Sequence, residues 1–135
     1  MSLEFENILV IGAGTMGRGI ATHFVQNHVN VELTDSHEGA LAAAQKIIGK
    51  SQESLLTRER ISSDQYHQFN EKLSFKPWEK ISLQPDLIIE AIVEDLAIKN
   101  KLFDQLDQKI WPQAIFASNT SSISINQLAA SLPPA

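Results

Sequence analysis

Three glycines, spaced Gly12-x-Gly14-x-x-Gly17, carry the most definite chemistry in this sequence. They lie in Gly12-Ala13-Gly14-Thr15-Met16-Gly17, between the apolar run Ile8-Leu9-Val10-Ile11 and a segment with helical periodicity. Backbone amides in the first turn of a helix lack intrahelical partners, and the helix dipole favours an anion there. A strand, a tight glycine turn and a helix start therefore make a site for a pyrophosphate. Gly12 allows the turn, Gly14 lets a ligand reach the backbone, and Gly17 lets the helix pack close to the strand. Asp35 ends the next apolar run. A carboxylate at that place accepts hydrogen bonds from both hydroxyls of an adenosine ribose and repels a 2′-phosphate, which predicts NAD over NADP. Ser36 and His37, next in the chain, supply no arginine for such a phosphate. A helix N-cap is the plainer reading of Asp35.

Glu94 and Lys99 fall at the start of a helix that follows a strongly apolar run. The helix dipole favours Glu94 there. A cofactor-facing pair and an ordinary solvated helix start both fit that spacing. Asn119 and Ser121 belong to a polar turn after a strand expected to be buried. Their amide and hydroxyl suit hydrogen bonds to a carbonyl or alcohol near a nicotinamide, although turns favour Asn and Ser in any case. Ser124 is read as a helix cap. His23, His28, His37 and His67 stand away from the strand ends and are read as solvated surface residues, with no part in catalysis. No His, Asp or Glu cluster has metal-ligand spacing. Trp78 and Trp111 are read as packing residues.

The elements that must position these groups follow from periodicity. Strands are expected at Phe5–Ile11, Val29–Asp35, Leu73–Phe75, Leu87–Val93 and Ala114–Ser118. The pattern predicts a first helix from Thr15 to about Asn27, with Gly17, Ile20, Ala21 and Phe24 on one face. A long helix over Ser36–Leu56 places Ala40, Leu41, Ala44, Ile47, Ile48, Ser51 and Leu55 together. Ser62-Ser63-Asp64-Gln65 is a capping box opening a helix to about Lys72. One turn is expected around Trp78 to Ile81. A helix over Asp95–Ile110 turns Leu96, Leu102, Phe103, Leu106 and Ile110 inward, and another runs from Ser124 through Leu132. Strands alternating with helices predict an α/β fold: a Rossmann-type doubly wound, mostly parallel sheet with helices on both faces. Ligands in such sheets lie at the carboxyl ends of the strands, where each candidate group falls.

Composition sets the frame. The 135 residues suit one domain, and 43% hydrophobic residues suffice for a core. Sixteen acidic against eleven basic residues give a net charge of −5, which argues against a nucleic-acid or membrane-surface partner. Cysteine is absent, so disulfides and thiolate metal sites are excluded. No apolar run approaches the roughly 18–20 residues that span a bilayer. The acidic start Met1-Ser2-Leu3-Glu4-Phe5-Glu6 resembles neither a signal nor a transit peptide, and a cytoplasmic location is expected.

Ile11 to Ala21, Asp35, Ile89-Glu90-Ala91-Ile92-Val93-Glu94-Asp95-Leu96-Ala97-Ile98-Lys99 and Phe116-Ala117-Ser118-Asn119-Thr120-Ser121-Ser122 together resemble the NAD-binding domain of L-3-hydroxyacyl-CoA dehydrogenases. The resemblance covers essentially the whole chain. It implies that Gly12, Ala13, Gly14, Thr15, Met16 and Gly17 hold the NAD pyrophosphate and Asp35 the adenine ribose. Glu94 and Lys99 would contact the cofactor. Ser121 would touch the nicotinamide side and the substrate oxygen, with Asn119 lining the same turn. Positions matching Ser51 and Arg58 would approach coenzyme A, Arg58 standing where the family usually has lysine. The implied reaction is reversible oxidation of an (S)-3-hydroxyacyl-CoA to the 3-ketoacyl-CoA, in fatty acid β-oxidation or short-chain hydroxybutyryl-CoA metabolism. The family's base, a histidine in a His-Phe-Phe-Asn-Pro stretch, is absent here. So is the helical C-terminal domain that completes the cleft and usually forms a homodimer. Residues 1–135 are therefore expected to be an N-terminal NAD-binding domain with little activity alone. The alternatives are a dehydrogenase of a related hydroxy acid or sugar acid and a non-catalytic NAD-binding module.

Overall fold

The computed structural model describes residues 4–92, 95–108 and 114–118. Five strands, β1 (Asn7–Ile11), β2 (Asn30–Thr34), β3 (Leu73–Phe75), β4 (Leu87–Glu90) and β5 (Ile115–Ser118), form one sheet in the order β3-β2-β1-β4-β5. Every neighbouring pair is parallel. The helices are α1 (Thr15–Gln26), α2 (Glu38–Thr57), α3 (Ser63–Lys72) and α4 (Leu96–Gln108), and Trp78–Lys80 make one 3-10 turn. This is the predicted doubly wound α/β fold.

Alternation along the central strand sorts the core into two layers. Ile8 and Val10 face α1, α2 and α3, packing with Ala21, Val25, Leu41, Ala44, Ile48 and Phe69. Leu9 and Ile11 face the other way, packing with Ile88 of β4 and Leu102 of α4, with Trp78 and Ile81 at the margin. A central parallel strand is covered on both faces, which is why its sequence is a continuous apolar run.

Several local forecasts hold to the residue. Ser62 caps α3, accepting from the Gln65 amide while the Gln65 side chain accepts from the Ser62 amide. The strand Leu73–Phe75 is as expected. Other forecasts shift. The buried stripe of α2 is Leu41, Ala44, Ile48 and Gln52, whereas Ile47 and Ser51 are exposed, so the helix lies rotated from the expected face. β4 stops at Glu90 instead of continuing to Val93, because the next amide but one turns to the strand's own end, with Ile92 N–H donating to Glu90 Oε1 at 2.8 Å. Within the 135 residues, Ile115, Phe116 and Ala117 of β5 are exposed, where a buried strand was expected. The expected helix from Ser124 lies outside the described residues.

Two carboxylates, one buried and one partly buried, tie loops to the sheet. Glu32 of β2 accepts from the Ser82 hydroxyl at 2.8 Å and from the Ser82 and Leu83 amides at 3.3 and 3.1 Å. A carboxylate taken out of water needs such donors to offset its lost hydration. Asp86, partly buried, receives the amides of Glu6 and Asn7 at 3.0 and 2.9 Å, anchoring the start of β1.

Candidate functional site

Strand order reverses at β1, with β2 on one side and β4 on the other. The glycine loop leaves the carboxyl end of that strand. Gly12 N–H donates to the Thr34 carbonyl at 2.8 Å, and Ala91 N–H donates to the Ile11 carbonyl at the same distance. The loop thus starts clamped between both neighbouring strands. Gly12 has φ +114°, and a Cβ there would lie 2.5 Å from the Ala91 carbonyl oxygen. Both conformation and space require glycine. A Cβ on Gly17 would stand 1.6 Å from the Gly12 carbonyl oxygen, so α1 packs directly on the turn beneath it.

Gly14 differs from both. Among the described residues no atom lies within 4 Å of the place its Cβ would occupy, so none of their packing explains a glycine there. It is also the N-cap of α1 and offers no side-chain cap. The first bonded amide of the helix is that of Arg18, which donates to the Gly14 carbonyl at 2.9 Å. Among the described residues, the amides of Thr15, Met16 and Gly17 meet no acceptor. An open glycine face beside a row of unpaired amides fits a pyrophosphate.

Asp35 stands beside this loop. Its Oδ2 accepts from the Ala13 amide at 2.8 Å and its Oδ1 from the His37 amide at 2.9 Å. The N-cap of α2 is His37, so Asp35 is not the cap. A carboxylate offers about four lone-pair sites, which leaves capacity on both oxygens for ribose hydroxyls. Met16 is exposed on the first turn of α1. Ser51 and Arg58 are exposed on and just after α2, and Ser51 borders a shallow groove with Arg18, Thr22 and His23 of α1. All four histidines are exposed. Among the described residues no group of His, Asp or Glu side chains could hold a metal ion. Glu94, Asn119 and Ser121 lie outside the described residues.

Of the two readings left open for Lys99, burial excludes the solvated one. It is 0% exposed, and its Nζ lies 3.0 Å from Glu90 Oε2. A buried ammonium is strongly disfavoured unless a counter-charge and hydrogen bonds compensate it. Glu90, itself 1% exposed, supplies that charge and also receives the Ser118 hydroxyl. Sequence reading gave Glu90 and Ser118 no role. One signal was available: a lone carboxylate inside Leu87-Ile88-Ile89-Glu90-Ala91-Ile92-Val93 needs a partner if that strand is buried.

The strand order, the glycine loop and Asp35 define a dinucleotide-binding domain of the doubly wound class. Comparison with known proteins narrows this. Residues 7–134 match the model of the family described as 3-hydroxyacyl-CoA dehydrogenase, NAD binding domain. The chain belongs to that family. A 3-hydroxybutyryl-CoA dehydrogenase of Mycobacterium tuberculosis is 34% identical over 131 residues, which cover 96% of this chain and 46% of that protein. A probable 3-hydroxybutyryl-CoA dehydrogenase of Deinococcus radiodurans is 39% identical over 120 residues, covering 89% of this chain and 43% of its own length. The crystal structure of 3-hydroxybutyryl-CoA dehydrogenase from Escherichia coli K12 superposes with a TM-score of 0.83 at 33% identity, over 97% of this chain and 28% of that one. The chain spans about half the length of the curated relatives it matches.

Proposed function

We propose that residues 1–135 are the cofactor domain of an NAD-dependent dehydrogenase acting on (S)-3-hydroxyacyl-CoA thioesters. The observation that carries this reading is the junction of the open Gly14 face with Asp35, held to the loop through the Ala13 amide at 2.8 Å. In it, the amides of Thr15, Met16 and Gly17 bind the pyrophosphate, and Gly14 leaves the path clear. Asp35 receives the adenine ribose and repels a 2′-phosphate. Glu94 and Lys99, the latter an ammonium buried against Glu90, are the proposed further cofactor contacts, and Ser121, with Asn119 in the same turn, is the proposed group on the nicotinamide side. When bound, NAD supplies the hydride acceptor for oxidation of the 3-hydroxyl.

The whole protein's substrate is proposed from its relatives' names: an acyl-CoA, with exposed Ser51 and Arg58 on the side where coenzyme A approaches. A substrate domain beyond residues 1–135, a homodimer and a cytoplasmic location belong to the same proposal. Among the described residues no helix is long and apolar enough to cross a membrane.

The test is titration of the chain with NADH and NADPH, followed by fluorescence or calorimetry. Tighter binding of NADH is expected. Tighter NADPH binding, or binding of neither, would overturn the cofactor reading. For the whole protein, turnover of acetoacetyl-CoA with NADH, against hydroxy acids or sugar acids with NAD, decides the substrate class.

A further inference from the structure

Both polar backbone groups of Ala13, which is 1% exposed, are held by side chains of opposite charge. Its N–H donates to Asp35 Oδ2 at 2.8 Å, and its carbonyl accepts from Arg18 Nη1 at 3.2 Å. Nη2 of the same guanidinium donates to Thr15 Oγ1 at 3.3 Å, so the fork spans the turn into α1. No backbone amide among the described residues takes the Ala13 carbonyl. A peptide unit is planar and trans, with its C=O and N–H directed oppositely. By holding that carbonyl, Arg18 therefore also fixes where the next N–H, that of Gly14, is aimed. The Gly14 amide meets no acceptor among the described residues. Glycine makes its direction easy to lose. Turning the peptide over would carry Gly14 from φ −73° to about +107°, which is open to glycine and strained for other residues. A carbonyl would then replace the N–H on the ligand's side and repel a phosphate.

Arg18 is placed against the interest of its own helix. It stands in the opening turn of α1, where the dipole favours acids and opposes cations, and no acid is present there. Helix stability does not explain an arginine at that place, whereas a hold on the Ala13 carbonyl does. We propose that Arg18 is a positioning residue for the pyrophosphate: it locks the Ala13–Gly14 peptide so that the Gly14 N–H is presented to the ligand. This rests on the NAD reading above and adds the Gly14 amide to those of Thr15, Met16 and Gly17.

The 135-residue chain and its Arg18→Met variant would be titrated with NADH at about 0.05 M and about 0.5 M salt, the higher of which screens attraction between exposed charges. Methionine keeps a good helix former of similar length and removes the charge and the donors. NADH affinity is expected to fall about threefold to tenfold at both salt concentrations. Without ligand, NMR relaxation dispersion should show microsecond-to-millisecond exchange at the Gly14 amide of the variant and none in wild type. The Tm should stay level or rise. Unchanged NADH affinity overturns the proposal, and a loss confined to low salt overturns it in favour of charge attraction alone. Loss of affinity with Gly14 as rigid as in wild type also overturns it, as does a variant that unfolds, since Arg18 would then serve the fold. Absence of NADH binding by the wild-type chain, with the new exchange present in the variant, leaves the lock standing and places the failure in the cofactor reading.

Discussion

Gly14→Ala separates what the glycine loop does for the fold from what it does for a ligand. The added methyl meets no atom within 4 Å, and the native φ of −73° and ψ of −168° are open to alanine. Two small stability terms oppose each other. Alanine is a poorer N-cap than glycine, which costs about 0.5–1 kcal/mol. A stiffer unfolded chain returns about 0.4–1 kcal/mol. The net change should stay within about 1 kcal/mol, a shift in Tm of no more than about 4 °C. Binding has no such compensation, because the methyl would enter the open space proposed for the pyrophosphate. Overpacking a close contact costs about 1–3 kcal/mol, so NADH affinity should fall about tenfold to hundredfold. Gly17→Ala is the control. Its methyl would stand 1.6 Å from a main-chain oxygen, so α1 must move and stability must fall, at or above about 3 kcal/mol. Thermal melts and NADH titrations of both variants make the comparison. A folded Gly14→Ala chain that binds NADH like wild type would refute the placement of the pyrophosphate. A Gly14→Ala chain as unstable as Gly17→Ala would refute the open face.

Asp35→Ala should weaken NADH about tenfold and narrow the preference over NADPH; titration of both cofactors checks it, and an unchanged NADH/NADPH ratio sinks the ribose role. Glu32→Ala strands the Ser82 hydroxyl and two loop amides, and should lower urea stability by about 1–3 kcal/mol while leaving NADH affinity alone. Loss of cofactor binding by a folded Glu32→Ala chain would show that the loop at residues 82–83 belongs to the site. Glu59 holds a left-handed conformation, φ +57°, just after the end of α2. Glu59→Gly should relieve it and raise stability by up to about 1 kcal/mol, and a drop in the denaturation midpoint would contradict this.

What could be read from the sequence and what could not divide by the distance over which each feature is decided. The capping box at Ser62 is closed by side chains three residues apart, so its four residues contain the whole argument. The glycine loop is nearly as local: strand, turn and helix follow one another, and only the obstacle at Gly12, the Ala91 carbonyl, comes from elsewhere. Apolarity says that Ile115 and Phe116 suit a sheet, whereas what packs on the faces of β5 says whether they are covered. The face of α2 is decided at the same range. Periodicity admits a stripe through Ile47 and Ser51 or one through Gln52, and packing against α1 and α3 chooses between them. The Glu90 cluster is the strongest case. Glu90, Lys99 and Ser118 are spread over 29 residues and meet only because β4 pairs with β5 in the register that sets Glu90 against Ser118. A one-residue slip would turn the serine to the opposite face. A short local motif therefore announces the proposed phosphate site. The cluster of Glu90, Lys99 and Ser118 meets through strand register, and only the fold brings it into view.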